Sequence, residues 1–222
     1  MTSWKLLAPL AVLAFGTSAQ ATMIDTTGSW DNDHGTFPFG QAPSTASIGQ
    51  TFHVAGDNAL RHFSFFLDDM DGSAPVSFQL YLAAWDGSRA VAGSERLLGD
   101  GATTGASGYE QFGFDFSDVH LDSNSDYILF LTTSLNPSGP LSEAFVGSLE
   151  EDFYADGDLV LFNNDDFSQL FAGDWSYWYD SDLAFRIELA QVTAEPVPEP
   201  ETLALLGLGV LGLGGLRRTR KL

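Results

Sequence analysis

The sequence contains no cysteine, and its only two lysines lie near the ends, at Lys5 and Lys221. Because there is no cysteine, no disulfide can stabilise the fold, and the thiolate ligands of structural zinc sites are absent. Between residues 25 and 201 four arginines face thirty acidic residues, so this span carries 4 − 30 = −26. A surface of that charge repels nucleic-acid phosphates and anionic lipids, and it attracts divalent cations. The composition therefore excludes nucleic acid as a partner.

The common signatures of catalytic sites are also missing. No pair of histidines has the i, i+4 spacing around a glutamate that zinc proteases use, and no Gly-x-Ser-x-Gly elbow, phosphate loop or dinucleotide fingerprint occurs. Among thirty carboxylates a glycosidase-like pair arises inevitably, so the number of acids does not indicate hydrolysis. The sequence predicts a protein that is not an enzyme, and a secreted hydrolase is the less favoured alternative.

Residues 1–21 have the three parts of a secretory signal peptide. Lys5 supplies the positive start, residues 6–15 form an apolar run, and Ala19-Gln20-Ala21 is a small-x-small cleavage site. A membrane-spanning helix is the alternative, but the apolar run is too short for one. Cleavage after Ala21 would make Thr22 the first residue of the mature chain.

The other end has a more specific pattern. A linker at residues 193–202 contains Val197-Pro198-Glu199-Pro200, an apolar glycine-rich segment follows at 203–216, and a basic end at 217–222 begins with Arg217 and Arg218. This order resembles the PEP-CTERM sorting signal, a segment also called the ice-binding protein C-terminal domain, a name that implies nothing about ice here. The resemblance implies that the tail holds an exported protein in the inner membrane transiently, and that an exosortase-type enzyme recognises the Pro-Glu-Pro region and cleaves near it.

The physical properties of the tail agree with temporary anchoring. As a helix, residues 203–216 would span about 21 Å, less than a hydrocarbon core of about 30 Å. Its glycines weaken the helix further, and the arginines after it favour the cytoplasmic side. The sequence therefore predicts a short transmembrane helix with the body outside, and a permanent anchor is the alternative.

The body, residues 22–192, has frequent strand signals and few helix signals. Short segments with one apolar face alternate with turn residues, and they lie at residues 48–54, 60–67, 76–85, 111–116, 126–133, 143–147, 158–162 and 183–189. This pattern predicts an all-β fold, an antiparallel β-sandwich or jelly-roll-like body. The body also resembles β-rich domains that precede such tails, through Ile48-Gly49-Gln50-Thr51-Phe52, Tyr154-x-x-Gly157 and Asp182-Leu183-Ala184-Phe185-Arg186.

Two Asp/Gly clusters are candidates for binding calcium, a cation that prefers several oxygen ligands. The first comprises Asp68, Asp69 and Asp71, and the second comprises Asp152, Asp156 and Asp158. Neither matches an EF-hand loop, and aspartate is also an ordinary turn residue. No cofactor is required by the sequence, and Ca²⁺ is the one that the charge favours.

An aromatic cluster precedes the last predicted strand. If the segment is extended, Tyr177 and Tyr179 share one face and Trp178 lies on the other, while Trp175 adds a further ring. Two exposed rings on one side would form a platform for stacking sugars. The alternative is that these rings pack on the rim of the sheet.

These observations predict a non-catalytic exported protein of the cell surface or extracellular matrix. The resemblance of the tail further implies sorting by an exosortase-type system and an association with exopolysaccharide. A carbohydrate- or calcium-binding module of that matrix is the alternative.

Overall fold

A computed structural model of the chain describes residues 21–41, 44–56, 58–70, 73–135, 142–178 and 180–191. The signal peptide up to residue 20 and the whole tail from residue 192 lie outside these ranges. Within them, no helix is long and apolar enough to cross a membrane.

The described residues form thirteen strands and two short 3-10 helices, the latter at Thr27–Ser29 and Phe167–Phe171. The strands are β1 (Thr22–Asp25), β2 (Gly35–Gly40), β3 (Ser47–Val54), β4 (Asn58–Asp69), β5 (Ser77–Ala84), β6 (Arg96–Ala102), β7 (Glu110–Leu121), β8 (Ser125–Thr132), β9 (Glu143–Leu149), β10 (Leu159–Phe162), β11 (Ser176–Tyr177), β12 (Asp182–Leu183) and β13 (Arg186–Gln191).

These strands form two antiparallel sheets, which confirms the predicted all-β class. The seven-stranded sheet has the order β1-β13-β4-β9-β12, with β2 beside β9 and β7 beside β4. The six-stranded sheet has the order β11-β10-β3-β8-β5-β6. Consecutive strands are therefore often separated in space, and β1, the first strand, pairs with β13, the last.

The two sheets share one hydrophobic core, built by the alternation seen in the sequence. Phe63, Phe65 and Leu67 of β4 are buried in a single cluster with Phe78 of β5. The rings of Phe65 and Phe78 meet edge to face with centroids 5.7 Å apart. Burial of such rings is the main source of stability in a chain without disulfides.

The outer face of each sheet carries a smaller apolar cluster. On the six-stranded sheet, Tyr81 and Phe130 are covered by Leu170 and Trp175, which come from the segment between β10 and β11. On the seven-stranded sheet, Trp30 lies against Phe66 and Tyr109. Each outer face therefore carries a tryptophan from a connecting segment.

The last predicted strand, residues 183–189, is interrupted in the structure. The hydroxyl of Thr26 donates to the carbonyl of Leu183 at 2.7 Å and accepts the N–H of Phe185 at 2.9 Å. These bonds satisfy the carbonyl of Leu183, the last residue of β12, and the N–H of Phe185, so the chain leaves the strand ladder after Leu183 while Phe185 stays in the core. They also fix the end of β1 to the last part of the body.

Candidate functional site

The residues of the predicted sorting motif lie outside the described residues. They are Val197, Pro198, Glu199, Pro200, Arg217 and Arg218. The candidate sites in the body can be located more closely.

Asp68 and Asp69 of the first acidic cluster fasten the loop between β6 and β7. One carboxylate oxygen of Asp69 accepts the backbone N–H of Gly105 at 2.6 Å, and the other accepts the Thr103 hydroxyl. Asp68 accepts the N–H of Gly108 at 2.9 Å. Asp71 lies outside the described residues, so a calcium site that includes it stays a prediction.

The second acidic cluster lies around a tight approach of two backbone segments. A Cβ on Gly157 would lie 1.9 Å from the carbonyl oxygen of Thr51, so a larger residue does not fit. Asp152 and Asp156 are exposed, and burial, with the negative charge of Asp152, raises the pKa of Asp158. Across the described ranges, no group of three or more acidic or histidine side chains is placed to hold a metal ion.

The structure separates the members of the predicted sugar platform. Trp175 is only 4% exposed, its indole N–H donates to the carbonyl of Leu170 at 2.9 Å, and its ring packs against Phe130 and Phe162. It belongs to the covering of the six-stranded sheet, because apolar rings from three segments enclose it. Its ring is therefore not available to a sugar, contrary to the prediction.

Tyr177 differs from Trp175 in being 48% exposed. Its hydroxyl donates to the carbonyl of Gly87, and its ring meets Trp85 edge to face. Trp178 packs against the main core as a partly buried ring. Tyr179 lies outside the described residues, so the two-tyrosine platform stays a prediction.

A second aromatic and acidic region lies on the seven-stranded sheet, where β2 and β9 pair. Two adjoining concavities, of about 270 Å³ and 420 Å³, share four lining residues: His34, Ser148, Leu149 and Glu150. The first is also lined by Trp30, Asp31, Glu151 and Phe153, and the second by Phe145, Trp178 and Pro38. Together they are called the β2–β9 groove below.

Trp30 forms a fixed wall of this groove. Its indole N–H donates to the carbonyl of His34 at 2.7 Å, which closes the segment between β1 and β2. Its ring lies 4.7 Å from that of Phe66 and 4.8 Å from that of Tyr109, measured between centroids. Gly147 gives the ring room, since a Cβ there would lie 2.9 Å from it.

A second wall is a loop that follows β9 and is held by a buried carboxylate. Asp182 is fully buried, and one of its oxygens accepts the backbone N–H groups of Phe153 and Tyr154, each at 2.8 Å. Its other oxygen accepts a hydrogen bond from the side-chain N–H₂ of Gln50 at 2.8 Å. The side-chain carbonyl of Gln50 in turn accepts the backbone N–H of Leu183. Burial raises the pKa of Asp182 to about 6, although these hydrogen bonds oppose the shift.

The imidazole of His34 interacts with a carboxylate from each wall, Asp31 near Trp30 and Glu150 after β9. Its Nε2 lies 2.7 Å from a carboxylate oxygen of Glu150, and its Nδ1 lies 3.8 Å from Asp31. The hydrogen bond and charge of Glu150 raise the pKa of His34, with smaller effects from Asp31 and Asp33. The backbone N–H groups of Asp33 and His34 lower the pKa of Asp31. The groove therefore stabilises a positive charge between carboxylates.

This arrangement does not resemble a serine or carboxylate catalytic centre. Both ring nitrogens of His34 face carboxylates, so neither is placed to take a proton from a serine hydroxyl. The two described acids whose pKa is raised, Asp158 and Asp182, are absent from the groove lining. The other three histidines also lie beside carboxylates, as His53 with Asp126, His62 with Asp115 and His120 with Asp118.

A family model of the PEP-CTERM protein-sorting motif matches residues 196–221. The chain carries a PEP-CTERM motif. This confirms the resemblance inferred from the sequence, and it indicates an exported protein that an exosortase system sorts by its C-terminal signal. No curated protein matches the chain.

Two solved chains are similar to the body of this chain, each at 12% identity. One holds the cysteine protease and lectin-like domains of Cwp84, a surface layer associated protein of Clostridium difficile, with a TM-score of 0.43 over 65% of this chain and 32% of that one. The other is the clostridial cysteine protease Cwp84 after propeptide cleavage, with a TM-score of 0.48 over 77% of this chain and 40% of that one. The present chain thus spans less than half the length of either.

Sequence reasoning missed the β2–β9 groove because its residues come from separate segments. Trp30 and His34 precede β2, Phe145 and Glu150 belong to β9 and its end, and Trp178 follows β11. One local signal was present: Trp30 is a single aromatic residue among acids and turn formers. Such a residue is too isolated to form a core of its own.

Proposed function

We propose that this PEP-CTERM protein is a non-catalytic component of the cell surface or extracellular matrix that associates with exopolysaccharide. The observation that carries the proposal is the sorting motif at residues 196–221 behind a strongly acidic all-β body. The signal peptide directs export, and the short helix at residues 203–216 holds the chain in the inner membrane until the exosortase-type enzyme processes it.

A non-catalytic role is supported by the chemistry of the groove. Its histidine is engaged by two carboxylates, and Asp182, whose pKa is raised, holds the backbone of the groove loop and does not itself line the groove. The groove offers aromatic rings and carboxylates in a defined arrangement, which are groups that can bind a ligand without transforming it.

The proposal is tested by locating and weighing the mature protein in the producing cells. Mass spectrometry should find a C-terminus near Pro200, with residues 203–222 absent, in the surface or extracellular fraction. A variant with Arg217, Arg218, Arg220 and Lys221 replaced by glutamine should fail in membrane retention or processing, because the charges that stop transfer are lost. Recovery of an intact C-terminus from the envelope would contradict processing and favour a permanent anchor.

A further inference from the structure

We propose that the β2–β9 groove binds a polysaccharide that carries free amino groups. The inference rests on the proposed function in one respect, since an exported body meets polymers outside the cell. It adds a binding site and a ligand class, and it places them on the sheet opposite to the one that carries the Trp175 segment.

The shape of the groove fits a chain better than a small molecule. Its two concavities adjoin at His34 and Glu150 and are open to solvent. An aromatic ring borders each half: Phe153, 49% exposed, in one and the partly buried Trp178 in the other. Sugar units have apolar faces that pack on such rings, and two rings along one groove would engage separate units of a polymer.

The charge of the groove selects among polymers. Its ionisable lining consists of Asp31, His34, Glu150 and Glu151, with neither lysine nor arginine among the residues that line it. The described arginines act elsewhere, as Arg61 on the carbonyl of Ser117, Arg96 on that of Asp118, Arg89 with Asp86 and Arg186 with Glu188. The positive charge of His34 is already balanced by Glu150 and Asp31, so the groove would repel an anionic polymer, whereas a protonated amine gains from each carboxylate.

The imidazole of His34 shows which carboxylates such an amine would approach. It occupies the position between Glu150 and Asp31, and its pKa is raised there because the surrounding carboxylates favour a cation. An ammonium group of the ligand would approach the same carboxylates from the solvent side. The adjacent Glu151, which is exposed, adds a further acceptor.

The walls are rigid enough to present these groups in a fixed geometry. Trp30 is held by its indole hydrogen bond and by two rings, and the backbone of Phe153 is held by buried Asp182. A preformed site loses less conformational entropy on binding than a mobile loop does.

The test is a titration of the full mature body with a glucosamine hexamer, followed by calorimetry at physiological ionic strength. Phe153→Ala and Glu151→Gln should each weaken binding by about tenfold, as expected for central contacts of an interface. The matched controls are Leu97→Ala, an equally exposed apolar side chain outside the groove, and Glu95→Gln, an exposed acid of the same charge outside it. Both controls should bind like the unaltered protein.

Further probes separate the contributions of sugar rings and of charge. The N-acetylated hexamer, which lacks the amines, and spermine, which lacks the rings, should both bind much more weakly than the glucosamine hexamer. Equal binding of spermine, or equal losses in groove and control variants, would mean unspecific attraction to an acidic surface and would overturn the proposal. Equal binding of the acetylated hexamer would overturn the requirement for amines. Because localisation of the protein is measured separately, either failure leaves the sorting function standing.

Discussion

The two outer sheet faces use tryptophan in opposite ways. On the six-stranded sheet, Trp175 lies among rings from neighbouring segments and is almost fully buried by them. On the seven-stranded sheet, Trp30 is almost as buried, yet concavities with carboxylates adjoin it. The first tryptophan completes a small core, and the second forms the wall of a groove.

The difference shows that aromatic residues crowded in the sequence are a poor indicator of a binding surface. Residues 175–178 are close neighbours in the chain, yet the fold gives each ring different partners: Phe130 and Phe162 for Trp175, Trp85 for Tyr177 and the main core for Trp178. The groove draws its rings from segments far apart in sequence, and only the strand order brings them together. Three experiments can break or sharpen this contrast.

The largest effect is expected at the closed face. Trp175→Ala should lower the free energy of unfolding by about 3–5 kcal/mol, because it leaves a large cavity beside Phe130 and removes the donor to the carbonyl of Leu170. Tyr177→Ala, at an exposed position two residues on, should cost less than about 1 kcal/mol. Urea denaturation of both variants measures the difference, and similar losses would mean that the whole segment is core.

The second effect is expected at the attachment of the groove loop. The native carboxyl of Asp182 takes up a proton near pH 6, whereas the same group in the unfolded chain does so near 3.8. Between these values the native state holds more protons than the unfolded state, so stability from this group falls as the pH rises. The contribution lost between about pH 4 and pH 7 is at most about 3 kcal/mol.

Asp182→Asn removes this titration and places an amide N–H₂ among the donors of Phe153, Tyr154 and Gln50. The stability of the unaltered protein relative to the variant should therefore rise as the pH is lowered from 7 to 4. Urea denaturation across that range measures it, with Asp100→Asn as a control at an exposed acid. Parallel curves for the unaltered protein and Asp182→Asn would show that this carboxyl does not sense burial.

The smallest effect is a titration shift within the groove. Glu150→Gln should lower the pKa of His34 towards its ordinary value, since Glu150 is the main cause of the elevation. Glu151→Gln, one residue away, should leave that pKa nearly unchanged. NMR titration of the imidazole proton resonances measures both. A pKa of His34 that is unaffected by Glu150→Gln would place the histidine outside the carboxylate pair and weaken the argument for a cation site.

Sequence periodicity predicted the core strands well because their buried faces are continuous. Each of the eight predicted segments corresponds to a strand, with the last divided between β12 and β13. The strands that were not predicted have a weaker alternation of apolar and polar residues. β1 and β11 are very short, β2 contains Pro38, and β6 contains two glycines and has mostly exposed residues. Their position is set by pairing with neighbours, which a single sequence does not display.

The candidate sites follow the same physical distinction. The sorting motif was predictable because its parts are adjacent in the chain and need no fold to be recognised. Asp69 and Asp182 were not separable from the other acids by sequence, since only tertiary structure buries them. The groove required the pairing of β2 with β9, which joins residues more than a hundred positions apart, as in the register of Thr36 with Val146.

The pairing of β1 with β13 has a consequence for the order in which the protein folds. A chain that emerges with its amino end first exposes β1 long before residues 186–191 follow, and in the described structure β1 has β13 as its partner strand. Contacts between such distant segments form late, because a long loop must close before they are gained. The hydroxyl of Thr26 likewise waits for Leu183 and Phe185. The sandwich is therefore completed only when the segment just before the sorting motif has emerged. Folding of the body then finishes at about the time at which the tail itself emerges.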